Sequence, residues 1–163
     1  MYFQSALDLG VKPHYDLLHG DKSWVSVATL GEHWQQRSYA PHEAVDALQA
    51  AADSGLDAYL SQNGLRPYSN RNVSNTVWLN CLFVDLDTYH VPHLHAREPR
   101  ALIRTLLAEF KELPAPTLYA DSGRGMYLIW CFKKPVFCGK DASARLIEWQ
   151  RTEHQLVQLL QNY

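Results

Sequence analysis

Two aspartates, Asp85 and Asp87, lie one residue apart at the point where a run of apolar residues ends. Positions 80–87 read Asn-Cys-Leu-Phe-Val-Asp-Leu-Asp. An unbroken run of Leu, Phe and Val favours a strand that is buried on both faces. Because side chains alternate along a strand, the two carboxylates point the same way. Solvated aspartates at a strand end are the simpler interpretation, but a divalent cation relieves the repulsion between neighbouring carboxylates. The pattern therefore predicts that Asp85 and Asp87 bind Mg²⁺ or Mn²⁺ together with substrate phosphates.

A glycine-rich turn supplies a second candidate site. Ser122, Gly123, Arg124 and Gly125 separate two predicted strands. Glycines let backbone N–H groups approach a ligand closely and form a concavity that binds anions. A serine hydroxyl and an arginine guanidinium both suit phosphate. Most glycine-rich turns only reverse the chain, so phosphate binding is predicted here only because the aspartate pair is also present. A metal ion at a strand end and phosphate donors in a hairpin are together what a nucleoside triphosphate requires.

The two motifs resemble those of the archaeo-eukaryotic primase superfamily. The matching segments are positions 82–87, Leu-Phe-Val-Asp-Leu-Asp, and positions 122–130, Ser-Gly-Arg-Gly-Met-Tyr-Leu-Ile-Trp. The likeness is greatest to the primase and primase-polymerase domains of plasmid and mobile-element replication proteins, and it extends from about Trp24 onward. It implies that Asp85 and Asp87 are catalytic metal ligands and that the hairpin at positions 122–125 binds the incoming nucleotide.

The resemblance implies a metal-dependent nucleotidyltransferase of the DNA primase or primase-polymerase type. Such an enzyme uses a nucleoside triphosphate and a single-stranded DNA template, and it works with further replication domains or a helicase. Two basic residues of a predicted loop, Arg66 and Arg71, are candidates for contacts with nucleic-acid phosphates. For Lys133 and Lys134 a solvated surface is the favoured interpretation.

Two departures from the family pattern bear on activity. Many members carry His where this chain has Tyr127, and that His contacts the nucleotide phosphates. An uncharged Tyr cannot do the same, so we expect Tyr127 to stack on the nucleotide or hydrogen-bond to it. The family also has a third acidic motif, for which the sequence up to Tyr163 offers no candidate. We therefore expect a C-terminal truncation or an incomplete metal site, with weak nucleotide binding and poor polymerisation.

A histidine-rich segment suggests a different enzyme. His93 and His95 flank a leucine, as in the His-hydrophobe-His metal motif of replication-initiator nucleases. Those enzymes cut single-stranded DNA with a tyrosine, for which Tyr127 or Tyr163 is available. Together with His90, the pair is also a candidate zinc site. A neighbouring proline favours a loop rather than the strand that the nuclease motif occupies, so surface histidines are the simpler interpretation.

Two further functions fit parts of the sequence. A non-catalytic module of the RNA-recognition type would expose aromatic residues on its sheet, and Tyr119, Tyr127 and Trp130 are available. For Trp130, packing in the core is the favoured interpretation. A sugar-nucleotide transferase also uses Asp-x-Asp at a strand end, but no series of alternating strands and helices precedes the pair.

The composition is that of a soluble globular protein. The chain has 163 residues, 47% of them hydrophobic and 20% charged, with a net charge of −2. Any nucleic-acid contact therefore depends on a local basic patch. There is no apolar run of membrane-spanning length and no secretory signal, and three cysteines without paired metal spacing favour a reduced, cytoplasmic protein. Residues 1–5 resemble the end of an engineered protease-cleavage site, so we expect residues 6–163 to form one catalytic domain.

The order of predicted elements gives the fold class. Strands are predicted at residues 23–30, 57–61, 77–86, 117–120 and 126–132. Helices are predicted at residues 41–53, at residues 98–113 and from Asp141 to the end of the chain. The remaining segments, among them residues 6–22, 31–39 and 63–75, are expected to be irregular, looped or at most a helical turn. This order predicts an α+β fold in which helices cover a mostly antiparallel sheet. The resemblance implies a catalytic module related to the RNA-recognition motif, joined to an N-terminal α/β unit.

Overall fold

The computed structural model of the chain describes residues 11–21, 23–90, 99–121 and 125–161. Its helices are α1 (Val11–Leu18), α2 (Pro41–Asp53), α3 (Pro99–Glu109) and α4 (Ala142–Leu160). Its strands are β1 (Val25–Leu30), β2 (Trp34–Tyr39), β3 (Asp57–Leu60), β4 (Gly64–Leu65), β5 (Thr76–Leu86), β6 (Leu118–Asp121) and β7 (Met126–Phe137). None of the helices within these ranges has both the length and the apolar character needed to span a membrane.

The strands form two sheets. The first has the order β2-β1-β3 and the second the order β4-β5-β7-β6. Strand β1 is antiparallel to both of its neighbours, and the pairs β4–β5 and β6–β7 are antiparallel as well. Helices and antiparallel sheets therefore make up the fold, and the predicted α+β class is confirmed.

Residues 1–80 and 134–146 form one compact unit. Its core joins Tyr15 of α1, Val25 of β1 and Ala44 of α2, all of which are buried. Helix α2 begins at Pro41 because proline suits the first helical turn, and the Glu43 carboxylate accepts a hydrogen bond from the backbone N–H that precedes the helix (3.2 Å). Gly55, with a φ of 65°, follows its end. The predicted helix at residues 41–53 is therefore confirmed.

A buried polar cluster in the same unit holds the first half of β5. The Asn63 side-chain oxygen accepts the backbone N–H of Asn80 at 2.7 Å, and the Asn80 side chain hydrogen-bonds to Nδ1 of His19 at 3.0 Å. All three residues are buried. Burial lowers the pKa of His19 to about 4, so its ring is neutral at physiological pH. This cluster fixes the strand that carries the aspartate pair at its far end.

Residues 81–133 and 147–163 form the second compact unit. Its buried core consists of Val84, Leu102, Ile103, Leu106, Leu113, Met126, Leu128, Trp130 and Leu160. The even-numbered residues 82–86 of β5 and 126–130 of β7 therefore face this core together with residues of α3 and α4. Because side chains alternate, the odd-numbered residues of the same two segments, including Asp85 and Tyr127, lie on the opposite face of the sheet.

The structure corrects several predictions made from the sequence. Residues 6–22 were expected to be irregular, but α1 forms within them because Tyr15 and Leu18 bury their side chains. Residues 31–39 were expected to form a loop or a helical turn, but β2 lies there. Strand β2 is mostly polar and exposed, so it lacks the apolar alternation that marks a strand, and its pairing with β1 fixes it instead.

Two further corrections concern the second sheet. The short strand β4 lies within the predicted loop at residues 63–75. Strand β7 was expected to close at Lys133, Lys134 and Pro135, but it continues to Phe137. The described register between β6 and β7 ends at Ile129. Pro135 lies beyond that register, so its missing N–H removes no hydrogen bond of the described pairing with β6.

Candidate active site

The aspartate pair lies at the end of β5, as the apolar run indicates. Asp85 is the penultimate residue of the strand, Asp87 follows it directly, and both residues are exposed. Although Asp85 is exposed as a residue, the protein around its carboxyl group removes part of its hydration and raises its pKa. The charge of Asp87 adds to this rise. Each carboxylate therefore lies in the field of the other, which is the electrostatic condition that a bound cation relieves.

Tyr127 contacts this pair from the neighbouring strand. It lies on β7 opposite Ala120 of β6, on the face away from the core. Its hydroxyl donates a hydrogen bond to the Asp85 carboxylate, which opposes the rise in the pKa of Asp85. The bond ties the position of the carboxylate to β7. Tyr127 therefore has a partner within the protein, and its predicted contact with a nucleotide remains a prediction.

Gly125 brings the start of β7 against the end of β5. A Cβ atom at position 125 would overlap the backbone carbonyl of Leu86 and would lie 3.2 Å from Cα of Asp87. Only glycine allows this approach, because the obstacle is backbone that cannot rotate away. The end of the glycine-rich turn therefore packs against the aspartate pair. The other turn residues predicted to bind the nucleotide, Ser122, Gly123 and Arg124, lie outside the described residues.

Two side chains of α4 hold the backbone of β5 just before Asp85. The Trp149 indole N–H donates a hydrogen bond to the carbonyl of Cys81 at 2.9 Å. The Glu153 carboxylate accepts the backbone N–H of Phe83 at 2.8 Å. Burial raises the pKa of Glu153 to about 7, although the hydrogen bond from Phe83 opposes the rise. These contacts fix the strand two residues ahead of the first aspartate.

Glu153 is not among the site residues predicted from the sequence, although its position in helix α4 carries a signal. Apolar residues recur on α4 at spacings of three and four, and Glu153 occupies one position of that stripe. The stripe consists of Leu146, Trp149, Glu153, Leu156 and Leu160. A carboxylate in the middle of an otherwise apolar helix stripe needs a specific hydrogen-bond partner. Here the partner is a backbone amide of the strand that leads to Asp85.

Two carboxylates suit Mg²⁺ or Mn²⁺, which keep waters and substrate phosphates as ligands, better than they suit a metal ion coordinated entirely by protein side chains. Among the described residues, no group of three or more His, Cys, Asp or Glu side chains is arranged to hold a metal ion. Mg²⁺ keeps several waters and commonly binds one or two protein carboxylates together with substrate phosphates. Asp85 and Asp87 are hard oxygen ligands, exposed and close enough for Asp87 to raise the pKa of Asp85. Their chemistry fits such an ion.

The remaining candidates lie elsewhere. Arg66 and Arg71 are exposed in the connection between β4 and β5, and Lys133 and Lys134 are exposed on β7. His90 is exposed in a short 3₁₀ turn, Thr88–His90. The other residues of the nuclease hypothesis, His93, His95 and Tyr163, lie outside the described residues.

A module of the RNA-recognition type needs exposed aromatic residues on its sheet, but two of the three candidates pack in or against the core instead. Trp130 is buried in the core, and its indole N–H donates to the carbonyl of Pro114 at 2.8 Å. The expected packing of Trp130 in the core is therefore confirmed. Tyr119 also packs against this core. Of the three, Tyr127 alone lies on the face that carries the aspartates.

Comparison with known proteins supports the fold. The chain matches no protein-family model. It is 29% identical over 130 residues to a protein of Clostridium perfringens named replication protein, and the match covers 78% of this chain and 30% of that protein. The chain thus spans about a third of the length of that relative.

The structure is similar to the AEP domain of the primase-polymerase of cyanophage S-2L, with a TM-score of 0.55 and 14% sequence identity. The similarity covers 91% of this chain and 70% of that domain. The chain therefore has the fold of an archaeo-eukaryotic primase domain. The resemblance predicted from the aspartate strand and the glycine-rich hairpin is confirmed at the level of the fold.

Proposed function

We propose that the chain is the catalytic domain of a replication primase or primase-polymerase that serves a plasmid or another mobile element. In this reaction a nucleotide is transferred from an NTP or dNTP onto a growing strand paired to a DNA template. The observation that carries the proposal is the packing of Gly125 against the aspartate-bearing end of β5. In a fold of the primase type, this packing joins a carboxylate pair to a hairpin suited to phosphate.

The proposal assigns a role to each residue around the pair. Asp85 and Asp87 hold Mg²⁺ or Mn²⁺, which when bound supplies positive charge against the phosphates of the nucleotide. Tyr127 keeps the Asp85 carboxylate in one orientation through its hydroxyl hydrogen bond. Positions 122–125 hold the triphosphate through backbone N–H groups and the charge of Arg124. No covalent nucleophile from the protein takes part, because the attacking hydroxyl belongs to the growing strand.

Nucleotide binding tests this proposal directly. We expect the protein to bind a fluorescent dATP or ATP analogue when Mn²⁺ is present and to lose that binding in EDTA. Replacing Asp85 with Asn keeps the shape of the side chain but removes its charge, so Mn²⁺-dependent affinity should fall at least about tenfold, roughly the value of one charge-assisted contact. Asp57→Asn is the matched control, since Asp57 is also exposed at a strand end but lies at the start of β3.

The outcome that overturns the proposal is equally specific. Equal Mn²⁺-dependent affinities for the wild type and Asp85→Asn, with both proteins folded by circular dichroism, would remove Asp85 from the metal site. Primer synthesis on a single-stranded DNA template is then measured on a denaturing gel. Synthesis that depends on Mn²⁺ and on Asp85 supports the assignment to a primase.

A further inference from the structure

The connection between β4 and β5 presents an aromatic side chain in an unusual conformation. Tyr68 is 85% exposed. Its φ of 55° makes it the only non-glycine residue in the described part of the chain with a positive φ. The left-handed region is costly for a residue with a side chain, and such outliers cluster at ligand-binding sites. We call residues 66–75 the Tyr68 loop.

Hydrogen bonds within the Tyr68 loop hold this conformation in place. The backbone N–H of Arg66 donates to the carbonyl of Asn75 at 2.9 Å and closes the loop at its base. The Ser69 hydroxyl donates to the carbonyl of Arg66 at 2.7 Å, and the Asn75 amide donates to the Asn70 side chain at 2.7 Å. Tyr68 therefore projects from a frame that is built before any ligand arrives, so that little conformational entropy is lost on binding.

The Tyr68 ring is supported from one side by Trp24. The two ring centroids lie 4.4 Å apart with an interplanar angle of 54°. Trp24 is itself tied to the base of the loop, because its carbonyl accepts the backbone N–H of Leu65 at 2.7 Å. One side of the Tyr68 ring thus packs on a fixed indole, while most of the residue remains open to solvent.

The Tyr68 loop itself carries only positive charge. Positions 61–84 contain two arginines, Arg66 and Arg71, and no aspartate or glutamate. Both arginines are exposed and belong to the same loop as Tyr68. An exposed aromatic residue in a loop with two exposed arginines matches a single-stranded nucleic acid, whose bases stack on aromatic rings and whose phosphates pair with arginine.

A second exposed aromatic pair shows what the Tyr68 loop has in addition. Trp34 and Tyr59 have ring centroids 5.3 Å apart, and Trp34 is 48% exposed. Asp57 and Trp34 both lie opposite Leu30 in the first sheet, so a carboxylate stands near this pair. That charge repels phosphate, which makes the Trp34 pair a suitable control.

We propose that the Tyr68 loop binds single-stranded DNA, with one base stacked on Tyr68 and neighbouring phosphates held by Arg66 and Arg71. The choice of DNA as the strand rests on the proposed function, in which this strand is the template. Stacking on Tyr68 accepts any base, because every base has an aromatic face. The loop thus gives affinity without sequence preference.

The test uses fluorescence anisotropy of a labelled oligothymidylate of about 20 nucleotides. The buffer contains EDTA, so the aspartate pair and its metal play no part. Tyr68→Phe keeps the ring and should bind as the wild type does. Tyr68→Ala and Tyr68→Gly remove it and should bind about tenfold more weakly, the usual effect of losing one stacked base. Trp34→Ala should bind as the wild type does.

Tyr68→Gly also separates binding from folding. Glycine adopts a positive φ without steric strain, which offsets part of the contact with Trp24 that the variant loses. This variant should therefore still unfold cooperatively, as followed by circular dichroism, while it loses DNA affinity. Arg71→Ala should reduce the slope of log affinity against log salt by about one, between about 50 and 200 mM NaCl.

Several results would overturn the inference. The first two are the absence of DNA binding by the wild type and equal DNA affinities of Tyr68→Ala and the wild type. The other two are a loss of DNA affinity in Trp34→Ala as large as that in Tyr68→Ala, and a preference of more than about tenfold for single-stranded RNA over DNA. A different pattern separates the two proposals. If DNA binding depends on Tyr68 while Mn²⁺-dependent nucleotide binding is absent from the wild type, the Tyr68 loop stands as a DNA site and the primase assignment fails.

Discussion

Replacing Glu153 with Gln should change how stability depends on pH. The Glu153 carboxylate accepts the backbone N–H of Phe83, and burial raises its pKa from 4.5 to about 7. Glutamine has nearly the same shape and keeps an oxygen that can accept this N–H. The substitution therefore removes the charge and leaves the hydrogen bond, so it isolates the free energy of burying an ionised carboxylate.

The sign follows from the direction of the pKa shift. The folded protein binds the Glu153 proton more tightly than the unfolded chain does. Below pH 4.5 the side chain is protonated in both states, so its burial does not require the burial of a charge. Stability is lost as the pH rises from 4.5 to about 7, because only the unfolded chain ionises freely there. The full shift corresponds to at most about 3 kcal/mol. Since water reaches part of the side chain, we expect about 1–2 kcal/mol.

Urea unfolding at about pH 5 and about pH 8 measures the effect, because this window brackets most of the shift. The Gln variant should be more stable than the wild type at the higher pH by about 1–2 kcal/mol, and the advantage should shrink at the lower pH. Other titrating groups are common to both proteins and cancel in the difference. Glu148→Gln, an exposed change on the same helix, should show no such dependence. A stability difference that is the same at both pH values would refute the reasoning.

Three further substitutions test the frame of the site. Gly125→Ala forces a Cβ into a backbone carbonyl of β5 and should lower the unfolding free energy by about 1–3 kcal/mol. As the control, Gly31→Ala places its Cβ against only a flexible side chain and should be nearly neutral. Equal urea midpoints for the two variants would contradict this. Tyr127→Phe removes the hydroxyl that hydrogen-bonds to Asp85 and should weaken Mn²⁺ binding severalfold, on the order of 1 kcal/mol. An unchanged Mn²⁺ affinity, measured by titration calorimetry, would show that the hydrogen bond does not orient the carboxylate. Asn63→Ala strips the acceptor from a buried backbone amide of β5 and should cost about 1–3 kcal/mol in thermal unfolding; an unchanged melting temperature would argue that water replaces the acceptor.

The strongly patterned elements could be predicted from the sequence. The apolar run of β5 and the proline-initiated helix α2 follow local rules, and both lie within a residue or two of their predicted bounds. Strand β2 follows no local rule, because its residues are mostly exposed and polar and its pairing with β1 alone defines it. Helix α1 is short, and burial of Tyr15 within a tertiary core stabilises it more than local propensity does.

In the candidate site too, some features could be predicted from the sequence and others could not. Side-chain alternation alone predicts that Asp85 and Asp87 face the same direction. The hydrogen bond between Tyr127 and Asp85 depends on how β5 and β7 are placed against each other, which no periodicity within either strand determines. The hydrogen bond that the Glu153 carboxylate accepts from the backbone N–H of Phe83 depends on where α4 docks, and the two residues are separated by 70 positions in the chain. Contacts across such separations arise from the packed core, so local sequence patterns do not reveal them.

The tight approach at Gly125 limits how this part of the molecule can evolve. Most crowded positions can be relieved by a compensating change in a neighbour, and such pairs then covary among relatives. Here the neighbour is the main chain of Leu86, which every amino acid shares. A library randomised at positions 86 and 125 should therefore yield varied side chains at the first position and glycine alone at the second among clones that retain function.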